Sequence, residues 1–246
     1  MKQFFSSFFF FSFFILCNAQ ESNLSVLKDS LNGTNPQVYQ SPINRKDIVR
    51  LGVYGGYSNL TGAIPKGIDP FLADHIKRLK KGFHIGADVD FFVGKHIALG
   101  AKYSIFVSKD EMNNIAFYWE DGTTTIGKIS ERLFVHYVAP NIIVKAGKST
   151  GKVFFIFDGS MGCLIYRNSG TLIQSDYTMK GAAFGMTITP GIDIKVTQNF
   201  ALSLNVGLTI GTVNTMTMTI DGQTITDEAK ENVTRVDLSL GFRLYK

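Results

Sequence analysis

The stretch Ile48-Val49-Arg50-Leu51-Gly52-Val53-Tyr54-Gly55-Gly56-Tyr57-Ser58 decides how the chain is read. Val49, Leu51, Val53 and Tyr57 fall on one parity, and Arg50, Gly52, Tyr54, Gly56 and Ser58 on the other. A period of two puts those sets on opposite sides of a β-strand. The apolar set suits contact with acyl chains, and the small and charged set suits a polar interior. That combination points to a strand of a membrane-spanning barrel.

The same alternation recurs about eight times between Asp47 and Lys246. From Phe83 to Val93 the odd positions are apolar, while His84, Gly86, Asp88 and Asp90 point the other way. Ile97 to Val107 sets Leu99, Tyr103 and Ile105 against Gly100, Lys102 and Ser104. Near Arg132 the pattern places Leu133, Val135 and Tyr137 outward and His136 inward, with a break at Pro140-Asn141 where proline cannot donate to a ladder. Later strands follow from Val153 to Tyr166, Ala182 to Val196, Phe200 to Ile210 and Arg235 to Leu244.

Connection lengths alternate as well. Leu60 to Gly82, Ser108 to Glu131, Arg167 to Gly181 and Thr212 to Val233 are long, and those at Gly94, Lys145 and Thr197 are short. Outer-membrane barrels keep short turns on the periplasmic side and long loops outside. Beyond the first nineteen residues, no apolar run reaches the ~18 that a membrane helix needs. A bilayer is then crossed only by a closed barrel, which leaves no strand edge in lipid.

The domain organisation follows. Lys2, the Phe-rich run from Phe4 to Leu16 and Cys17-Asn18-Ala19 read as a signal peptide over residues 1–19, cleaved after Ala19. Residues 20–46 are polar and aperiodic, a flexible periplasmic lead. Residues 47–246 form the barrel domain. Of two cysteines, Cys163 alone survives cleavage, so no intrachain disulfide forms; its apolar neighbours Met161 and Ile165 suggest a buried, inert thiol. The formal net charge of +5 comes with no basic run, and no nucleic-acid partner is expected.

Leu51-Gly52-Val53-Tyr54-Gly55-Gly56-Tyr57, the strand–turn–strand from Pro190 to Gly211, and the closing run Val236-Asp237-Leu238-Ser239-Leu240-Gly241-Phe242-Arg243-Leu244-Tyr245 carry a resemblance. From Asp47 to Lys246 the chain resembles the small OmpX/OmpA-like outer-membrane β-barrel domains of Gram-negative bacteria. The resemblance implies an all-β, eight-stranded, antiparallel up-and-down transmembrane barrel in the outer membrane. It also implies that the closing run is read by the barrel-insertion machinery, although Lys246 follows the usual terminal aromatic residue.

The candidate site residues are mostly charges inside the barrel. Arg50, Asp88, Asp90, Lys102, Arg132, Asp158, Asp193, Arg235, Asp237 and Arg243 are expected to interlock in the lumen, with Asp237 meeting Arg50. Unpaired buried charges are very costly, and eight strands leave room for little but side chains. Tyr57, Phe83 and Tyr103 are expected in an aromatic girdle. Ser104 with His136 and His84 is the best serine–histidine candidate, but no carboxylate stands ready to orient the base, so no catalytic, cofactor or metal residues are assigned. Asp-Gly pairs at Asp121-Gly122 and Asp221-Gly222, flanked by β-prone runs including Phe117, Tyr118 and Trp119, predict projecting surface hairpins. Asp69-Pro70 opens a short helix through Lys81 whose basic end suits either lipopolysaccharide or the barrel rim.

The expected function is structural or interactive at the cell surface, with the lipid bilayer, lipopolysaccharide and an extracellular protein or ligand as partners. The alternative is a lipid A or phospholipid-modifying enzyme in the same fold.

Overall fold

The computed structural model describes residues 48–118, 122–147, 151–228 and 230–246. The segments expected to be a signal peptide and a periplasmic lead, together with Trp119 and Asp121, lie outside the described residues. The elements are β1 (Val49–Leu60), α1 (Pro70–Leu79), β2 (Lys81–Phe92), β3 (Ile97–Tyr118), β4 (Thr124–Ala146), β5 (Val153–Ile173), β6 (Ser175–Lys195), β7 (Phe200–Val213), β8 (Met216–Ile220), β9 (Gln223–Asp227), β10 (Glu231–Asn232) and β11 (Arg235–Tyr245).

Alternation becomes register. Each strand from β1 to β6 pairs antiparallel with its successor, β7 pairs with β11, and β11 returns to β1 with Arg50 opposite Tyr245 and Leu60 opposite Arg235. Eight strands thus close an antiparallel barrel, and closure removes the free edges that lipid would leave unsatisfied. Its exterior inverts the polarity of a soluble protein: Phe83 is 72% exposed, whereas Arg50 is 1% exposed.

The interior is layered. At the short-turn end Ala98, Ile143, Phe154 and Ile156 pack together, with Lys145 Nζ 4.3 Å from the Phe154 ring centroid and 4.7 Å from that of Tyr245. Charged and hydrogen-bonding side chains fill the middle. Toward the long-loop end Leu60, Phe106, Leu133, Val135, Tyr137, Leu164 and Val233 form an apolar plug.

That plug corrects the expectation for β4. Leu133, Val135 and Tyr137 point inward and are buried, and β4 runs unbroken through Pro140 with its parity intact. His136 faces outward instead, where Tyr103 Oη lies 2.7 Å from its Nδ1 and the Phe134 ring stacks on it. A hydrogen bond supplied on the outer face satisfies the imidazole, and the upper lumen takes the apolar side chains.

Above the barrel, β3 to β6 continue as a raised sheet, which the hairpin β8–β9 extends by pairing Tyr177–Gly181 with Met216–Ile220. Arg167 to Gly181 is therefore a strand hairpin that turns at Gln174 rather than a loop. Helix α1 starts at Asp69, whose side chain accepts from the Phe71 amide, with Pro70 in the first turn. It packs on β2, β3 and β4, and Leu79 joins the plug.

Candidate functional site

The lumen brings together groups far apart in sequence. Arg50 Nη1 lies 2.8 Å from both Asp88 Oδ1 and Asp90 Oδ2, and its Nε lies 3.3 Å from Asp193 Oδ2. Arg243 Nη1 lies 2.7 Å from Asp88 Oδ2, so Asp88 joins β1 to β11 through β2. Asn141 donates to Asp90, and the Tyr245 hydroxyl donates to Asp193. Lys102 Nζ sits 2.7 Å from Asp158 Oδ2. Nearer the plug, Arg235 Nε lies 3.1 Å from Asp237 Oδ2 while its Nη2 donates to Ser104 Oγ at 2.9 Å. Such pairs are stable only when geometry and extra hydrogen bonds offset desolvation, and here Asp88, Asp90 and Asp193 each serve two donors.

Of the residues assigned to the lumen network, Arg50, Asp88, Asp90, Lys102, Asp158, Asp193, Arg235, Asp237 and Arg243 are buried inside the barrel. Arg132 is not among them: it lies on the outer face, opposite Lys109. The flipped parity of β4 explains this, because Arg132 shares a face with Phe134 and His136. Asp237 does not meet Arg50 either. Antiparallel pairing puts Tyr245 opposite Arg50 and leaves Asp237 opposite Ser58, toward the other end of the strand.

Ser104 and His136 are held apart, Ser104 buried inside and His136 on the outer wall. The sequence reading missed a different trio. Ser58 Oγ donates to Asp237 Oδ1 at 2.5 Å and lies 2.8 Å from His84 Nδ1. Shared inward parity was the signal the sequence held; the opposition of Ser58 to Asp237 comes from the register. Its geometry is not that of a nucleophile relay, since the carboxylate binds the serine directly and stands 3.9 Å from His84 Nδ1. A small cavity remains beside this trio, lined by Tyr54, His84, Asp158, Asn205 and Arg235.

On the outside, Tyr57, Phe83 and Tyr103 are exposed, with Tyr57 and Phe83 in edge-to-face contact at 6.4 Å. Cys163 is exposed on the same outer face, not buried as its neighbours suggested, because those neighbours themselves face outward. Asp221 and Gly222 both adopt positive φ, 46° and 84°, and close the two-residue β8–β9 turn between Ile220 and Gln223. Gly122 has φ 81° near the tip joining β3 to β4, and Phe117 pairs with Thr125 there.

Above the plug a second polar cluster fixes α1, and sequence periodicity gave no sign of it. His75 is fully buried, with Nδ1 2.6 Å from Asp110 Oδ2 and Nε2 3.5 Å from Glu131 Oε1, and Arg78 Nε lies 2.8 Å from Asp110 Oδ1. The Glu131 carboxylate, then that of Asp110, raises the His75 pKa above its ordinary 6.5 against the opposing effect of burial. Burial pushes both carboxylates upward, but Arg78 and His75 hold Asp110 below its ordinary value, and His75 and Asn168 hold Glu131 below its own.

A closed, lipid-facing shell around an ionic interior defines a transmembrane β-barrel, and its fold is that of the small outer-membrane barrels. The chain is similar to a major outer membrane protein of Thermus thermophilus at 10% identity and TM-score 0.50, covering 80% of this chain and 99% of that one. It is also similar to neisserial surface protein A, at 13% identity and TM-score 0.49, covering 80% and 97%. Outer membrane protease OmpT of Escherichia coli is similar at 6% identity and TM-score 0.49, covering 82% and 98%. No protein-family model matches the chain, and no curated protein matches it. At such identities the likeness is one of fold.

Proposed function

We propose that this barrel is an integral outer-membrane protein whose role is structural or interactive at the cell surface, without a catalytic function. The raised sheet of β3 to β6 with β8 and β9 carries that reading: it projects from the long-loop end above a lumen filled with side chains. A filled lumen suits neither a channel nor a substrate tunnel, whereas long strands beyond the apolar belt provide surface for contact. Export through a signal over residues 1–19, insertion by the barrel-insertion machinery and contact with lipopolysaccharide belong to the same reading.

Cysteine placed at Thr224, in β9, is expected to react with a membrane-impermeant maleimide on intact cells, and cysteine at Lys95, in a short turn, only after lysis. A chain trimmed of residues 115–129 and 216–227 is expected to insert and yet fail to restore envelope resistance to detergent in a deletion strain. Labelling only after lysis at Thr224, or equal detergent resistance with and without the gene, would refute the surface role.

A further inference from the structure

The outer face changes chemistry at one height. On β2 the outward positions run Phe91, Val89, Ala87, Ile85 and Phe83, and the next is Lys81. Val107 on β3 is followed outward by Lys109, Phe134 on β4 by Arg132, Ile165 on β5 by Arg167, and Ala182 on β6 by Lys180. Five consecutive strands thus end their apolar run on a basic residue, and none of the five basic residues is buried. The other three strands end theirs on Asn59, Thr212 and Thr234.

Register sets the five side by side. Lys109 stands opposite Arg132, and Arg167 opposite Lys180. Arg132 opposes Ser169, which makes it the diagonal neighbour of Arg167, and the pairing of Phe83 with Val107 carries Lys81 to the level of Lys109. Like charges directly opposite one another destabilise a sheet. None of the five forms an ion pair among the described residues. Glu111 lies one outward position above Lys109, and Asp176, two positions above Lys180, accepts from Thr171. The row therefore calls for a counter-charge from outside the chain.

Its height says which. The row lies where hydrocarbon contact ends, on the long-loop side, at the depth of lipid headgroups in that leaflet. Five strands span about 20 Å at the usual inter-strand spacing, wide enough to engage more than one phosphate at once. Basic clusters at this depth recognise anionic headgroups. We propose that Lys81, Lys109, Arg132, Arg167 and Lys180 form a one-sided binding surface for the phosphorylated headgroups of lipids in the long-loop leaflet. The proposal rests on the outer-membrane reading above and adds to it a side of the barrel and a ligand chemistry.

The test is native mass spectrometry of the full chain taken from phosphatidylcholine bilayers doped with diphosphoryl lipid A, monophosphoryl lipid A or no lipid A. The wild-type barrel is expected to retain diphosphoryl lipid A in preference to the monophosphoryl form, and to retain phosphatidylcholine least. Replacing all five residues by serine is expected to lower retention at least tenfold, while Lys66→Ser with Lys230→Ser leaves it unchanged. Should the fivefold variant not insert, Arg132→Ser with Arg167→Ser carries the same test with a several-fold loss. Undiminished retention in the serine variants, or equal retention of all three lipids by wild type, overturns the surface alone. Failure of the wild-type chain to enter any bilayer overturns the barrel reading with it.

Discussion

Lys102 on β3 and Asp158 on β5 meet across the lumen, Nζ 2.7 Å from Oδ2, although β4 runs between their strands. Both are buried, so each is the other's substitute for water. Asp158→Ala is expected to strand the ammonium and destabilise the barrel by about 3 kcal/mol, whereas Lys102→Met with Asp158→Leu recovers most of that loss. Urea midpoints followed by unheated gel migration check it; an unchanged midpoint in Asp158→Ala would remove the pair from the stabilising network.

Gly52 leaves room for the junction of β1, β2 and β11. A Cβ at this position would run into the Arg243 guanidinium and the Asp88 carboxylate, which are themselves joined at 2.7 Å. Gly52→Leu is expected to prevent compact barrel formation, and Gly52→Ala to destabilise the barrel by about 2 kcal/mol through forced displacement of a packed group. Refolding yield into detergent micelles measures the first and the urea midpoint the second.

The seat of α1 is expected to depend on pH. His75 has a raised pKa, so its contribution is complete below the ordinary 6.5 and is lost as pH rises through the higher folded value. Asp110 and Glu131 have lowered values, so theirs is present above the ordinary 3.8 and 4.5 and is lost as pH falls through the folded ones. The helix is therefore held best in mildly acidic solution. Hydrogen exchange of the α1 amides should be slower at pH 5.5 than at pH 8, after correction for intrinsic rates, and His75→Gln should abolish the difference. Equal protection of the wild-type helix at both pH values would contradict the latch.

Most of the barrel was legible because parity survives in a sequence: β1, β2, β3, β5, β6, β7 and β11 face as alternation predicts. β4 was misread for a physical reason. A histidine between apolar residues looks like a lumen residue, but Tyr103 satisfies His136 from outside. Long-range partners were less legible, since parity gives a face and not a height: Arg50 and Asp237 share the interior yet sit toward opposite ends of their paired strands. The raised sheet was hidden by Asn168, Ser169, Gly170, Gln174 and Ser175, turn-forming residues of which all but Gln174 extend as strand, the first three between β4 and β6 and Ser175 against Leu172 of β5. The basic row requires both a face and a height, so it emerges only from the register.

Adjacent residues on β7 test the inverted shell most directly, Leu204 being 47% exposed and Asn205 4% exposed. Spin labels at each, in vesicles, report collision with oxygen dissolved in the acyl region. High oxygen accessibility at Leu204 with a shielded Asn205 is the predicted result; an oil-contacting Asn205 beside a shielded Leu204 would contradict it.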